Sequence, residues 1–137
     1  MQGVIHEAMS WLGTPYHHEA RVKGAGVDCG QFPAAVYEAC GLIPAVEIGP
    51  YPPDWHMHRG DERYLGYVET HFEKTESPQP GDLALFRFGR AISHSGIVIE
   101  WPIIIHAYIT ARAVVLDDAI ANKDLEKRLV GFWRLKK

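Results

Sequence analysis

Two cysteines among 137 residues are too few for the disulfide framework of a small secreted scaffold. Positive charge is not in excess either. Fourteen Lys and Arg against 17 Asp and Glu leave a net charge of −3, so a nucleic-acid partner is not expected. Long hydrophobic runs are missing: stretches such as Ile103-Ile104-Ile105 are far too short to span a bilayer, so no membrane partner is expected. The opening Met1-Gln2-Gly3-Val4-Ile5-His6-Glu7 lacks the basic start and apolar segment of a secretory signal, and synthesis in the cytoplasm is expected. No repeat or low-complexity tract is visible. What remains, 47% hydrophobic and 23% charged residues, is ordinary for a globular protein. The length suffices for one core and is short for two, so a single domain over residues 1–137 is expected.

The rest of the chain is organised around Val27-Asp28-Cys29-Gly30-Gln31. Apolar Phe32, Ala35, Val36 and Ala39 follow at near-helical spacing, with Gly41 and Pro44 as stop signals. Asp28 suits an N-cap, and Gln31 three positions on gives a capping-box-like pair. Cys29 then falls in the first turn, where unpaired N–H groups and the helix dipole favour a thiolate, the nucleophilic form. Pro33 removes the bond from residue 33 to the Cys29 carbonyl, so either the first turn is irregular or the helix begins nearer Gln31. A small buried hydrophobe is the competing reading of Cys29. On one helix the 11 positions to Cys40 correspond to about 16 Å, beyond disulfide reach, so both should be free thiols.

An amphipathic helix is expected over residues 3–12, with Val4, Ile5, Ala8, Met9 and Leu12 on one stripe. Gly13-Thr14-Pro15 ends it, and a polar loop from His17 to Gly26 leads to the cysteine. After an extended connector with Tyr51-Pro52-Pro53, Asp54 caps a second helical pattern through Trp55, His58, Glu62, Leu65, Val68 and Phe72. Asp54, His56 and His58 are ligand-type side chains. On one helix, however, the two histidines point about 200° apart, the wrong geometry for a shared metal.

From the Pro80-Gly81 turn onward the period becomes that of strands: 83–88, 93–99, 103–108, 113–116 and 130–135, with a charged helical or irregular stretch over 117–129. Helices first and consecutive strands after predict an α+β domain with N-terminal helices on a largely antiparallel sheet of about five strands.

His94 and His106 stand in otherwise apolar strands. Singly, each reads as a hydrogen-bonded core residue. Together with a cysteine at a helix start they fit a nucleophile, a base and an orienting group. Strand parity tests the pairing. The two share a face if their loop has an odd count or the ladder a bulge; a tight Trp101-Pro102 turn without a bulge would separate them.

Trp11-Leu12-Gly13-Thr14-Pro15-Tyr16, Asp28-Cys29, Pro80-Gly81-Asp82-Leu83, Ser93-His94-Ser95-Gly96-Ile97-Val98-Ile99 and Ile105-His106-Ala107 resemble, in order, the motifs of the NlpC/P60 cysteine peptidases. The short length and the Tyr51-Pro52-Pro53-Asp54-Trp55-His56 segment look most like the phage and gene-transfer-agent branch of tail-associated cell-wall peptidases. The resemblance implies a papain-like core in which Cys29 attacks an amide of a peptidoglycan peptide, His94 carries the proton and His106 orients His94. It also implies that Tyr16 serves oxyanion or substrate and that Asp28 grips the substrate's amino end, with phage tail proteins as partners, a tail particle as destination and no cofactor. Gly30-Gln31 departs from the family's Ser-Gly after the cysteine, so exact peptide specificity does not transfer. Three alternatives stay open: a structural tail or assembly component retaining the fold, an acyltransferase using the same site, and a small zinc protein ligated by Cys29, His94 and His106.

Overall fold

A computed structural model of the chain describes residues 2–44 and 63–136. The ligand-type side chains Asp54, His56 and His58, which are not expected to share a metal, and the Tyr51-Pro52-Pro53 connector before them, lie outside the described residues.

The first helix, α1 (Gln2–Met9), is shorter than the 3–12 stripe suggests, but it buries Val4 and Ala8 as the spacing requires. Trp11, just beyond it, donates from its indole to Glu7 at 3.0 Å and packs edge-on against Phe32. A two-stranded ribbon follows, β1 (Arg21–Val22) against β2 (Gly26–Val27). It delivers the chain to α2 (Gln31–Ala39), whose Phe32, Val36 and Tyr37 are buried. The next helix among the described residues, α3 (Arg63–His71), stops at Phe72; the expected start of this helix at Asp54, with Trp55, His58 and Glu62, lies outside them.

Phe72 opens a strand instead of ending the helix, and this corrects the expected strand count. β3 (Phe72–Thr75) pairs antiparallel with the C-terminal strand, Phe72 opposite Leu135. The main sheet therefore has six strands, not five. Its order is β3-β8-β4-β5-β6-β7, with β4 (Leu83–Phe88), β5 (Ala91–Glu100), β6 (Ile103–Tyr108), β7 (Ala113–Asp118) and β8 (Leu129–Leu135). Four residues that continue a helical stripe give no separate period-two signal. The α+β class and the antiparallel pairing are as the order of helices and strands implies. A short helix, α4 (Lys123–Glu126), breaks the charged stretch and is capped by Asn122. Among the described residues, no helix is long and apolar enough to cross a membrane.

The sheet has a core on each face. Leu83, Leu85, Ile97, Ile105 and Ala107 pack with Phe32 and Val36 of α2 and Val4 of α1. Ala84, Phe86, Val98, Ile104 and Tyr108 form a second cluster with Ala119 and Leu125. Gly81 lies at the third position of the turn before β4, with φ +92, and Asp82 N–H closes that turn on Gln79 at 3.0 Å. A positive φ there is the type II geometry that favours glycine.

The β5–β6 hairpin settles the parity of the two histidines. Its loop is the tight Trp101-Pro102 turn, but the register slips from Val98↔Ile104 to Glu100↔Ile103, leaving Ile99 as a bulge. That extra residue puts His94 and His106 on one face of the sheet.

Candidate active site

On the helical side, Cys29 precedes the helix proper, which begins at Gln31 with Gly30 as N-cap. The irregular entry has a local cause. Asp28 is buried at 2% exposure, and its Oδ1 accepts from the N–H groups of Gly30 at 3.2 Å and Gln31 at 2.9 Å. Its Oδ2 accepts from Glu19 N–H at 2.8 Å. Gln31 does not return the capping bond; its side chain accepts from Arg21 Nε at 2.9 Å. The Cys29 carbonyl, deprived of a donor by Pro33, accepts a long bond from Ser95 Oγ at 3.5 Å, and Ser95 in turn meets the Tyr64 hydroxyl at 2.7 Å. This is how a proline is tolerated within the first turn of α2.

Tyr16 is fixed by backbone bonds to Arg112 at 2.8 Å and a bridge to Val27. Its hydroxyl lies against the Cys29 thiol and the Cys29 backbone N–H, and burial first, then the thiol, hold its pKa well above the ordinary tyrosine value. Gly30 and Tyr64 border an apolar groove between α2 and α3, lined also by Pro33, Ala34, Tyr67 and Val68.

On the sheet, His94 Nε2 and His106 Nδ1 are 2.7 Å apart. His106 Nε2 is 3.0 Å from Asp117 Oδ2, and Asn122 Nδ2 donates to the same oxygen at 3.0 Å. His106 is fully buried, and Tyr108 stacks on it at 4.6 Å with a 20° tilt. Phe86 and Phe88 flank His94 at 5.7 and 5.4 Å. Burial, with His106 beside it, holds the His94 pKa well below the ordinary histidine value, so its resting form at neutral pH is the uncharged imidazole.

The two halves meet at the backbone of β5. Cys29 Sγ donates to the Ser93 carbonyl at 3.4 Å. Ser93 is the unpaired residue of a second bulge, between the pairs Phe86↔His94 and Arg87↔Ile92. His94 alternates with Ser95, which faces the helices, so its ring projects with Phe86 and Tyr108 from the other face. Among the described residues, the thiol makes no hydrogen bond to either imidazole. The structure thus groups Cys29, Asp28 and Tyr16, and separately His94 and His106, and joins the groups through Ser93 and Ser95.

The thiol also differs from the expectation at a helix start. Burial, followed by the Asp28 carboxylate, pushes the Cys29 pKa up to about 12; the Tyr16 hydroxyl and the nearby N–H groups oppose this without overcoming it. The Gly30 N–H is shared between the thiol and Asp28, and the Gln31 N–H serves Asp28. The positive helix end is therefore neutralised by the residue that caps it. Cys29 and Cys40 are both free thiols.

Asp117 and Asn122 escape a reading of the sequence because they fall where the strand signal fades into a charged stretch. The available clue is an acid at the end of β7, two positions from Val115, which pairs with His106. For a metal, the fit is poor: both ring nitrogens of His106 are engaged, and among the described residues no three His, Cys, Asp or Glu side chains converge as ligands.

Residues 13–134 match the sequence pattern of the NlpC/P60 family. No curated protein matches the chain in a sequence comparison. Among solved structures, an NLP/P60 family protein similar to a lipoprotein, from Staphylococcus aureus, superposes with a TM-score of 0.70 at 19% identity, over 99% of this chain and 41% of that one. The NlpC/P60 domain of the peptidoglycan hydrolase SagA superposes with a TM-score of 0.63 at 18% identity, over 98% and 97% of the two chains. The peptidoglycan hydrolase RipB from Mycobacterium tuberculosis gives 0.63 at 15% identity, over 99% and 65%. The present chain thus spans less than half of the staphylococcal protein.

Proposed function

The chain belongs to the NlpC/P60 family, and from that premise we propose that it is a cysteine peptidase cleaving amide bonds in peptidoglycan stem peptides. Two structural relatives are named peptidoglycan hydrolases, which supports the substrate class. The observation that carries the reading is the Cys29 thiol held at the backbone of β5 one residue before His94, whose ring is chained to His106.

In the proposed reaction the Cys29 S–H leaves the Ser93 carbonyl and turns to His94 across the bulged segment. His94 takes the proton as Sγ bonds to the substrate carbonyl carbon. The Cys29 N–H and the Tyr16 hydroxyl flank the position where negative charge develops on the carbonyl oxygen. The C–N bond then breaks, the amine leaves with the proton from His94, and a thioester remains on Cys29. Water, deprotonated by His94, attacks that thioester and releases a carboxylic acid and the free thiol. A thiol pKa near 12 and a neutral imidazole mean that both groups rest uncharged, so in the proposed reaction proton transfer accompanies attack.

The reading takes residues 1–137 as one catalytic domain, with Asp28 near the substrate's amino end, needing no cofactor and acting in a phage-type tail particle. The tail setting is supported by the resemblance of the 51–56 segment. Incubation with purified peptidoglycan tests the activity: the wild-type chain should release new amino groups and Cys29→Ala should not. Equal release by both would sink the proposal. Capture of an added amine in place of water would make the chain a transferase.

A further inference from the structure

We propose that Asp117 is a positioning residue for this reaction, fixing through His106 which nitrogen of His94 is free to accept the Cys29 proton. The inference rests on the hydrolase reading, and the chain of bonds begins at α4. Asn122 Oδ1 accepts from the backbone N–H groups of Asp124 at 3.1 Å and Leu125 at 3.4 Å. Backbone amides only donate, so the orientation of the Asn122 side chain is set and its Nδ2 must donate to Asp117 Oδ2. Asp118 N–H donates to Asp117 Oδ1 at 2.9 Å. The Asp117 carboxyl is held below the usual range, first by its bond to His106.

A carboxylate only accepts, so His106 Nε2, 3.0 Å away, carries the ring proton. On this proposal His106 carries a single ring proton, which leaves its Nδ1 bare. That nitrogen accepts from His94 Nε2 at 2.7 Å. His94 is then left with a bare Nδ1, the form that a general base requires. The direction of every bond from the helix cap to the base follows from one carboxylate. Tyr108, stacked on His106, donates its hydroxyl to Asp124 at 2.9 Å and so holds the plane of the ring. The other acids nearby have duties of their own: Asp118 caps the N–H groups of Ile120 and Ala121, and Asp124 pairs with Arg128 at 2.8 Å.

Asp117→Asn is the informative change because an amide cannot accept at both ends. Its NH2 would oppose either the Asp118 N–H or the two donors His106 and Asn122. Relief at the second position moves the His106 proton to Nδ1, makes His94 Nε2 an acceptor and protonates His94 Nδ1, which removes the base.

Nitrogen NMR of the imidazoles in the full chain, without substrate, reads the tautomers directly. In the wild type both rings should carry their proton on Nε2; in Asp117→Asn both should shift toward Nδ1. Against peptidoglycan fragments kcat should fall on the order of 10²-fold with KM within about twofold. That is less than the roughly 10⁴-fold loss expected where a carboxylate touches the base itself, because Asp117 acts through one more ring. A wild-type His106 protonated on Nδ1 overturns the proposal, whether or not the variant folds. So does a variant with unchanged tautomers and unchanged kcat. Absence of wild-type activity would count against the hydrolase reading alone, since the tautomers are measured without turnover.

Discussion

The Cys29 half of the site and the His94 half are held by different kinds of structure. Around Cys29 the bonds are largely to backbone: Asp28 accepts from the Gly30 and Gln31 N–H groups, Tyr16 bridges to Val27, and the thiol reaches the Ser93 carbonyl. Around His94 they are side-chain bonds that run across neighbouring strands, through His106 to Asp117 and Asn122, on a sheet whose register is set by bulges. The Cys29 half is electrically closed, with a capping carboxylate that opposes the thiolate. The cross-strand half is a chain of ring and carboxylate contacts, which on the proposed tautomers leaves His94 Nδ1 free to act as the base. Chemistry therefore requires the two to be joined at Ser93, and each half can be disabled separately.

The largest effect should come from the Cys29 half. Cys29→Ala should lower amide hydrolysis by roughly 10⁴-fold or more, read as amino-group release, with thermal stability little changed because the substitution removes one sulfur atom and one long hydrogen bond to Ser93. On the other half, His94→Gln should cost about 10²–10⁴-fold in kcat while leaving Cys29 alkylation by a neutral thiol reagent within a few-fold of wild type. A His94 variant that abolished thiol reactivity altogether would mean that the halves are already joined at rest.

A smaller effect is expected at Tyr16, whose hydroxyl touches the thiol and the Cys29 N–H. Tyr16→Phe should reduce kcat by about 10²-fold, the loss typical of one oxyanion donor. Asp28 separates the structural and electrostatic duties of one residue. Asp28→Ala should cost about 2 kcal/mol in chemical denaturation, because it removes a helix cap and the partner of Glu19 N–H. Asp28→Asn keeps an acceptor but removes the charge. It should therefore bring the thiol titration down from about 12, since the carboxylate raises it. The pH profile sharpens the contrast further. His94 loses its role as base only when protonated, and its pKa lies well below the ordinary value, so activity should persist on acidification through pH 6.5 and fall only below it.

The helices, most of the strands and the candidate residues are legible in the chain because each rests on local periodicity or on a short motif. β3 is not, because Phe72 closes a helical stripe and Glu73, Lys74 and Thr75 become a strand only by pairing with β8. The helix start just after Cys29 is legible from Asp28 and Gln31, although the helix begins at Gln31 with Gly30 as N-cap; its electrostatics are not legible. The same Asp28 that marks the helix start accepts from the Gly30 N–H, which the thiol shares, and from the Gln31 N–H. The shared face of His94 and His106 can be posed from parity and answered only by the bulge at Ile99. Asp117 is the clearest loss, since nothing in Val115-Leu116-Asp117-Asp118 says which acid faces a histidine two strand positions away.

The measurement closest to the central claim is the intact mass of the chain, quenched in acid seconds after mixing with a soluble stem peptide. A transient gain equal to the acyl portion of the substrate, mapped to the peptide that contains Cys29 and absent from Cys29→Ala, is the predicted result. Turnover of the peptide without any such adduct, at the same rate in wild type and Cys29→Ala, would contradict it.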